Sequence, residues 1–353
     1  MRFLGNEFGL KFILFLRKST RNKINPFKIV EELIPMKNLS TGKSGHRSIN
    51  LFCFSAVICL LFFTATLSAQ PTRTIMIVTE PDAAVWLDEV RFGRTDADGK
   101  LILKTVSAGK HSVRVRADGY KEITQNILAG QKGEVKIILS KTTDQAEIVF
   151  QEAEKLTASD RAKAAEAYRQ AIKLRPRFPE AYVALARVLS DMGELEDATK
   201  AVLQARKMRP AYAEASAVEG RIHKDNGEEE KAVAAFKRAI SEGRGFQPEA
   251  YTGLGLIYKE KGEGFSSSGD FESEAANYAE ASKYLRTALT QLQGAPDTVI
   301  IYQLEGLIYE RMGKYEEAIS IYEEFLRLFP DTVEASAVQS FITQIKKKQA
   351  EQQ

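Results

Sequence analysis

Hydrophobic and polar positions follow a different rule in each of three stretches of this chain. Residues 51–69 show no alternation: they are a near-continuous apolar run without a charge. From about residue 73 to 140 the period is two. Ile75 and Ile77, Val85 and Leu87, and Val113 and Val115 alternate with their neighbours as half-buried strands do. Turn residues punctuate them at Pro81-Asp82, Asp98-Gly99, Ala108-Gly109 and Asp118-Gly119. Several short strands at this spacing predict an antiparallel sandwich, closed by a strand over residues 134–139. Beyond residue 145 the pattern is helical. Tyr182, Leu185, Ala186 and Leu189 make one apolar face, and Ala198, Val202 and Ala205 make the next.

The helical part repeats. Ala164, Ala198 and Ala232 stand 34 residues apart, and Ala171, Ala205 and Ala239 keep the same step. Pro176 and Pro210 do so too, as do Gly193 and Gly227. A period of this length predicts stacked helix-turn-helix units. Gly193 ends a first helix at a tight turn, and Pro210 closes the unit. The alanines let two antiparallel helices approach closely. Such stacks present surfaces to partners and rarely form catalytic pockets.

Within this array Tyr251, Leu254, Gly255, Tyr258 and Gly262 fall at the places of one repeat motif, and Gly306, Tyr309, Gly313, Ala318, Tyr322 and Pro330 at those of another. The pattern resembles the tetratricopeptide repeat over residues 145–331, in five units starting near 145, 179, 213, 248 and 299. The first unit is degenerate, with Gln151, Glu152 and Ser159 where the family prefers Leu, Gly and Gly, as a terminal cap would be. Gly262 and Gly313 are 51 residues apart where 34 is usual, which places an insertion near 263–280. Its composition at residues 264–270 predicts a flexible loop, either a tolerated insertion or a protruding partner contact. A long helix should follow, capped by Asp270, with Phe271, Ala275, Tyr278, Ala281, Tyr284, Leu285 and Ala288 on its apolar side. Residues 332–353 read as a capping helix, with Val338, Phe341, Ile342 and Ile345 on one face, and a polar tail.

In the β stretch, residues 81–88, Gly93-Arg94-Thr95, residues 108–115 and Gly119-Tyr120 resemble the PEGA domain, with Asp82, Ala83 and Ala84 where the name-giving residues are Glu, Gly and Ala. The resemblance implies an envelope-associated β module over 71–140 with a docking role. The expected fold is therefore multidomain, α and β: a small antiparallel β-sandwich followed by an all-α TPR superhelix. A connection of only residues 141–144 implies a modest contact between the two.

Charge changes the reading of the front of the chain. The apolar run ends in Leu67-Ser68-Ala69 and follows Lys37, Lys43 and Arg47, the plan of a secretory signal cleaved after Ala69. At 19 residues it is also long enough to remain as a membrane anchor. Residues 1–69 are thus an N-terminal extension and signal, with Met36 as the expected true start. The whole chain has 50 Lys and Arg against 47 Asp and Glu, but residues 1–70 hold 10 of the former and 3 of the latter. The remainder is net acidic by four, a poor match for a phosphate backbone, so no nucleic-acid partner is expected. Both cysteines, Cys53 and Cys59, lie in the apolar run, outside a lipobox-like context.

Catalytic chemistry is not recognisable. His111 and His223 share no metal spacing, and neither a phosphate loop nor a nucleophile elbow occurs. Asp96-Ala97-Asp98-Gly99 lacks further calcium ligands and reads as a hairpin turn. No catalytic, cofactor-binding or metal-binding residue is assigned, and no enzyme activity is expected. The first helices carry Arg187 and Arg221 at the ninth place of their units, and Lys224 and Lys259 at the twelfth. In the resembled family these helices line the concave face, so the four would form a basic strip for an acidic or carboxylate-ended segment of a protein or peptide partner. Glu180, Glu214 and Glu249 at the other ends of the same helices leave helix-dipole compensation as the competing reading. The expectation is a non-enzymatic protein–protein interaction scaffold of the bacterial cell envelope, periplasmic or anchored to the inner membrane by residues 51–69. The alternatives are attachment to cell-wall glycan or peptidoglycan through Trp86 and Tyr120 of the β domain, and an accessory subunit of an envelope enzyme.

Overall fold

The structure, a computed structural model, describes residues 72–88, 90–292, 294–296 and 298–351. The signal, the alternative anchor and the Met36 start lie outside the described residues.

Seven strands form the β module: β1 (Thr72–Val78), β2 (Ala84–Leu87), β3 (Val90–Arg94), β4 (Lys100–Ser107), β5 (His111–Arg116), β6 (Ile123–Ile127) and β7 (Gly133–Lys136). They make a sheet ordered β4-β1-β7 and a sheet ordered β3-β2-β5-β6. The period-two residues meet between the sheets. Ile75 faces Leu103 across β1 and β4, Val85 pairs with Val115 and Leu87 with Val113, and all are buried in one cluster. One pairing, β1 with β7, is parallel, because the chain crosses from β6 in the second sheet to the edge of the first. Asp96 builds the turn into β4: its Oδ1 accepts from the amides of Asp98 (3.0 Å) and Lys100 (2.8 Å). Gly99 follows at φ 74°, and a Cβ there would lie 2.0 Å from the Thr79 carbonyl oxygen, so only glycine fits.

Among the described residues eleven helices follow: α1 (Gln145–Leu156), α2 (Arg161–Leu174), α3 (Pro179–Asp191), α4 (Leu195–Met208), α5 (Ala213–Asp225), α6 (Glu229–Glu242), α7 (Pro248–Ser268), α8 (Phe271–Leu292), α9 (Thr298–Arg311), α10 (Tyr315–Leu328) and α11 (Ala335–Ala350). They stack as antiparallel pairs into a tetratricopeptide-type superhelix. All six periodic alanines are fully buried, at 0% exposure. The eighth-place glycines act by absence. A Cβ on Gly220 would meet the Phe236 ring at 2.6 Å, on Gly255 the Leu285 side chain at 2.6 Å, and on Gly306 the Tyr322 ring at 2.1 Å. A bare backbone on the first helix thus admits a large side chain from the second.

The insertion is helical rather than a loop. Residues 264–268 continue α7 to 21 residues, and α8 runs to 22, so the surplus lengthens both members of one pair. The serines that suggested a loop bond back along the helix, Ser267 to the Glu263 carbonyl and Ser268 to that of Phe265. Only Gly269, at φ 78°, and Asp270 break the run, and Asp270 accepts from the Ser273 amide. Tyr278, Ala281, Leu285 and Ala288 are buried as expected, but Phe271 and Ala275 are exposed, because this end of the pair projects beyond its neighbours. Helix α11 closes the stack with Val338, Ile342 and Ile345 buried and Phe341 packed beside them.

The β module is fixed to α1. Asp144 caps that helix through the Ala146 amide, and Gln151 holds the module's backbone, accepting from the Gly119 amide and donating to the Tyr120 carbonyl, both at 2.9 Å. Arg116 reaches Glu154 at 2.5 Å and lies 4.8 Å from the Phe150 ring, while Lys155 pairs with Asp118 at 2.8 Å. The degenerate first unit thereby gains a reason. Its seventh place faces β-module peptide groups instead of a preceding helix, and Gln satisfies them where Leu would not.

Candidate functional site

The first helix of each pair starts on Pro or Ala, or on a residue just after a loop, and carries a glutamate in its first turn in α3, α5 and α7. With a 34-residue step, the ninth place of one unit stands beside the second place of the next. Arg187, Arg221, Lys224 and Lys259 are brought onto one connected row across α3, α5 and α7, and each has an acidic partner within the array. Arg187 forks onto Glu249 two units away, with nitrogen–oxygen distances of 2.7 and 2.5 Å, and also reaches Glu214 at 3.4 Å. Arg221 donates to the Arg187 carbonyl and to Asp191, both at 3.1 Å. Lys224 pairs with Glu260 at 2.9 Å and Lys259 with Glu263 at 2.7 Å. These side chains keep between 14% and 30% of their surface, so the row remains open to a ligand while its charge is largely matched.

The electrostatics follow from this pairing. Burial alone would raise the Glu249 carboxyl, but the Arg187 guanidinium, with Arg221 behind it, outweighs burial and holds it below the usual carboxylate range. Arg187 is held above its ordinary value because Glu249 and Glu214 outweigh the burial of its own charge. Arg187–Glu249, Arg221–Asp191 and Lys224–Glu260 thus link three units; the bidentate Arg187–Glu249 pair is the strongest, and pairs whose acid stays exposed contribute about 0–1 kcal/mol each.

The ninth place changes character in the fourth unit. There it is Leu256, which packs against a buried cluster containing Tyr278, Leu285, Ile301, Leu304 and Ile308. The same cluster contains Val90 of β3, and Phe92 packs against it. The charged row therefore runs into an apolar seat that already holds part of the β module.

Two features escaped the sequence reading. Glu219 and Glu305 occupy the seventh place, where Leu185 and Leu254 stand in other units. Glu219 accepts from Arg206 at 2.8 Å and Arg238 at 2.7 Å, tying α4, α5 and α6 together. Glu305 is fully buried and accepts from the Ser282 hydroxyl at 2.6 Å, while its Oε2 has no partner. Burial, the largest influence, pushes its carboxyl up. A charged residue at a place the repeat keeps apolar was the signal available.

The remaining candidates are structural in setting. His111 Nδ1 lies 2.5 Å from Asp88 Oδ2, and His223 Nδ1 lies 2.6 Å from Glu228 Oε2. Trp86 points outward between buried Val85 and Leu87, with the guanidinium carbons of Arg114, Arg116 and Arg91 at 4.3, 5.4 and 6.0 Å from its ring. Among the described residues no group of three or more His, Cys, Asp or Glu could hold a metal ion, and no helix is long and apolar enough to cross a membrane.

Family models agree with both halves. The PEGA domain matches residues 72–143, and tetratricopeptide-repeat models match residues 155–222, 213–242 and 265–331. No curated protein matches the chain. Among solved structures, MamA is 23% identical over 54% of this chain and 94% of its own, with a TM-score of 0.36. A thermophilic TPR protein of Thermus thermophilus is 19% identical over 57% of this chain and 98% of its own, with a TM-score of 0.43. Yeast Tom70 is 16% identical over 59% of this chain and 41% of its own, with a TM-score of 0.47. The repeats support a protein-interaction scaffold.

Proposed function

We propose that this chain, a PEGA domain joined to a run of tetratricopeptide repeats, is a non-enzymatic protein-interaction scaffold of the bacterial cell envelope. The array holds a segment of a partner protein, and the β module docks or orients it. The observation that carries this reading is the unbroken row of first-helix residues from Arg187 to Leu256. It presents partly exposed, internally paired charges along its length and ends at Leu256, on an apolar cluster that Val90 and Phe92 of the β module cover. The export signal or anchor in residues 51–69 supports the envelope setting. Attachment to glycan through the β domain has less support, because guanidinium groups already cover Trp86.

The test is capture of partners from solubilised envelopes by the parent protein and by a variant with Arg187, Arg221, Lys224 and Lys259 all changed to Ser. The variant should bind at least about tenfold more weakly at unchanged helical content, since several exposed pairings of about 0–1 kcal/mol are lost together. Raising the salt should weaken the parent in the same direction. Equal capture by both proteins would mean that the four residues only brace the array.

A further inference from the structure

The apolar seat at the end of the row reveals what it accepts, because this chain's own β module fills it. Resting on the scaffold reading above, we propose that the array binds partners through an extended segment with an apolar residue two places before an aromatic, and that Val90-Arg91-Phe92 is the intramolecular occupant such a segment displaces.

The geometry supports this in three ways. First, Val90 belongs to the array more than to its own module. It is 5% exposed, yet it is buried with Tyr278, Leu285, Ile301 and Leu304 and does not join the cluster between the two sheets. Phe92, on the same face of β3, touches both clusters, whereas Arg91 between them is exposed and pairs across to Trp86. An apolar residue, an outward cation and an aromatic in extended conformation are therefore the recognised pattern. Second, the segment is held ready. Leu87 pairs with Val90 across a two-residue connection, and Asp88, at φ 48°, is clamped by the Ser112 amide at 2.8 Å and by His111. Third, the other attachment of the module is remote from this seat in the repeat order. It lies on α1 of the first unit, through Gln151, Glu154 and Lys155. The seat can thus empty while the module stays tethered at α1. A partner competing for it meets an occupant of high local concentration, which lowers its apparent affinity by the fraction of time the seat is free.

The probe is a fluorescent, disulfide-cyclised peptide carrying residues 84–94 of this chain, titrated against the full protein. Val90→Asp with Phe92→Ser should vacate the seat, so this variant should bind the peptide at least about tenfold more tightly than the parent. Adding Leu256→Ser to it should abolish that gain, which ties the binding to the array. Bound peptide should restore the hydrogen-exchange protection of α7 and α9 that the double variant loses, a readout that holds even if the substitutions loosen the β module itself. Equal binding to parent and variant, or no binding to either, would overturn the inference. If partners are nevertheless captured from envelopes, the scaffold reading stands without it.

Discussion

Glu305 is the residue whose position costs the fold most visibly. Its carboxyl sits where the repeat keeps leucine; Ser282 bonds one oxygen and Tyr309 lies close enough to favour the ionised form, but burial outweighs both and Oε2 has no well-formed bond. An unsatisfied buried polar group costs about 1–3 kcal/mol. Glu305→Leu should therefore raise stability by an amount of that order, seen as a higher urea midpoint at pH 7 with an unchanged slope. The pH dependence has a definite sign. The folded-state pKa is raised above the ordinary glutamate value of about 4.3, so the native state binds the proton more tightly than the unfolded chain. The favourable share is complete below that ordinary value and is lost as pH rises through the raised one. The stability difference between Glu305→Leu and the parent should accordingly widen as pH rises from 4 to 7. A constant difference would mean that the carboxyl finds solvent. Glu249 works the other way. Held low by Arg187, it contributes stability above about pH 4.3 that is lost as pH falls through its lowered pKa.

At the scale of the helix pair, contact distance is set by small residues facing large ones. Ala198 and Ala232 have no exposed surface, and Gly220 and Gly306 leave room that Phe236 and Tyr322 fill. Adding three carbons at either alanine must force the pair apart. Ala198→Leu or Ala232→Leu should cost about 1–3 kcal/mol by overpacking. Ala213→Leu, at a half-buried site where α5 begins, should cost less. Thermal denaturation of the three variants checks the ranking, and an unchanged midpoint for Ala198→Leu would refute this helix-pair register. The lengthened α7–α8 pair obeys the same rule up to Gly262, whose Cβ would meet the Tyr278 ring at 2.8 Å, and then projects without a neighbour to cover Phe271.

In the molecule as a whole, the β module and the array are joined by more than residues 141–144. Arg116, only 9% exposed, bonds Glu122 and Glu154 and lies against both Trp86 and Phe150. Burial opposes its charge, and the two glutamates outweigh burial, so its pKa is raised. Arg116→Ala would remove the partner Glu154 and Glu122 share and, since both glutamates stay partly exposed and Glu122 keeps Arg114, should cost about 1–3 kcal/mol across that contact. The expected outcome is calorimetric: one unfolding transition in the parent becomes two, the β module melting first. A single transition at the parental temperature would show that Gln151, Lys155 and the Val90–Phe92 contact suffice. The proposed export is tested at this scale too. If a signal is cut after Ala69, Gln70 becomes the mature N-terminus, two residues before β1. Mass spectrometry of the protein purified from cells should then find Gln70 at its N-terminus, whereas peptides from residues 37–66 in the mature chain would mean an uncleaved segment.

Local rules carried much of this fold in the sequence. A 34-residue step of Ala, Gly and Pro can be satisfied only by stacked helix pairs, and period-two runs between turn residues only by a small sandwich, because both patterns reflect the geometry of a single element repeated. Composition misled at residues 264–268, where serines bond back to helical carbonyls and keep the chain helical despite the loop-like residue types. The four basic residues were identifiable by place, but their acidic partners were not. Glu249 lies 62 residues from Arg187, and only the superhelical turn of the array brings the two within 2.7 Å. The same curvature lets Val90, nearly 200 residues before Leu285, be buried in the same cluster. Periodicity determines which face of an element is apolar. What covers that face depends on how the elements curve together in space, and that was decided by the tertiary structure alone.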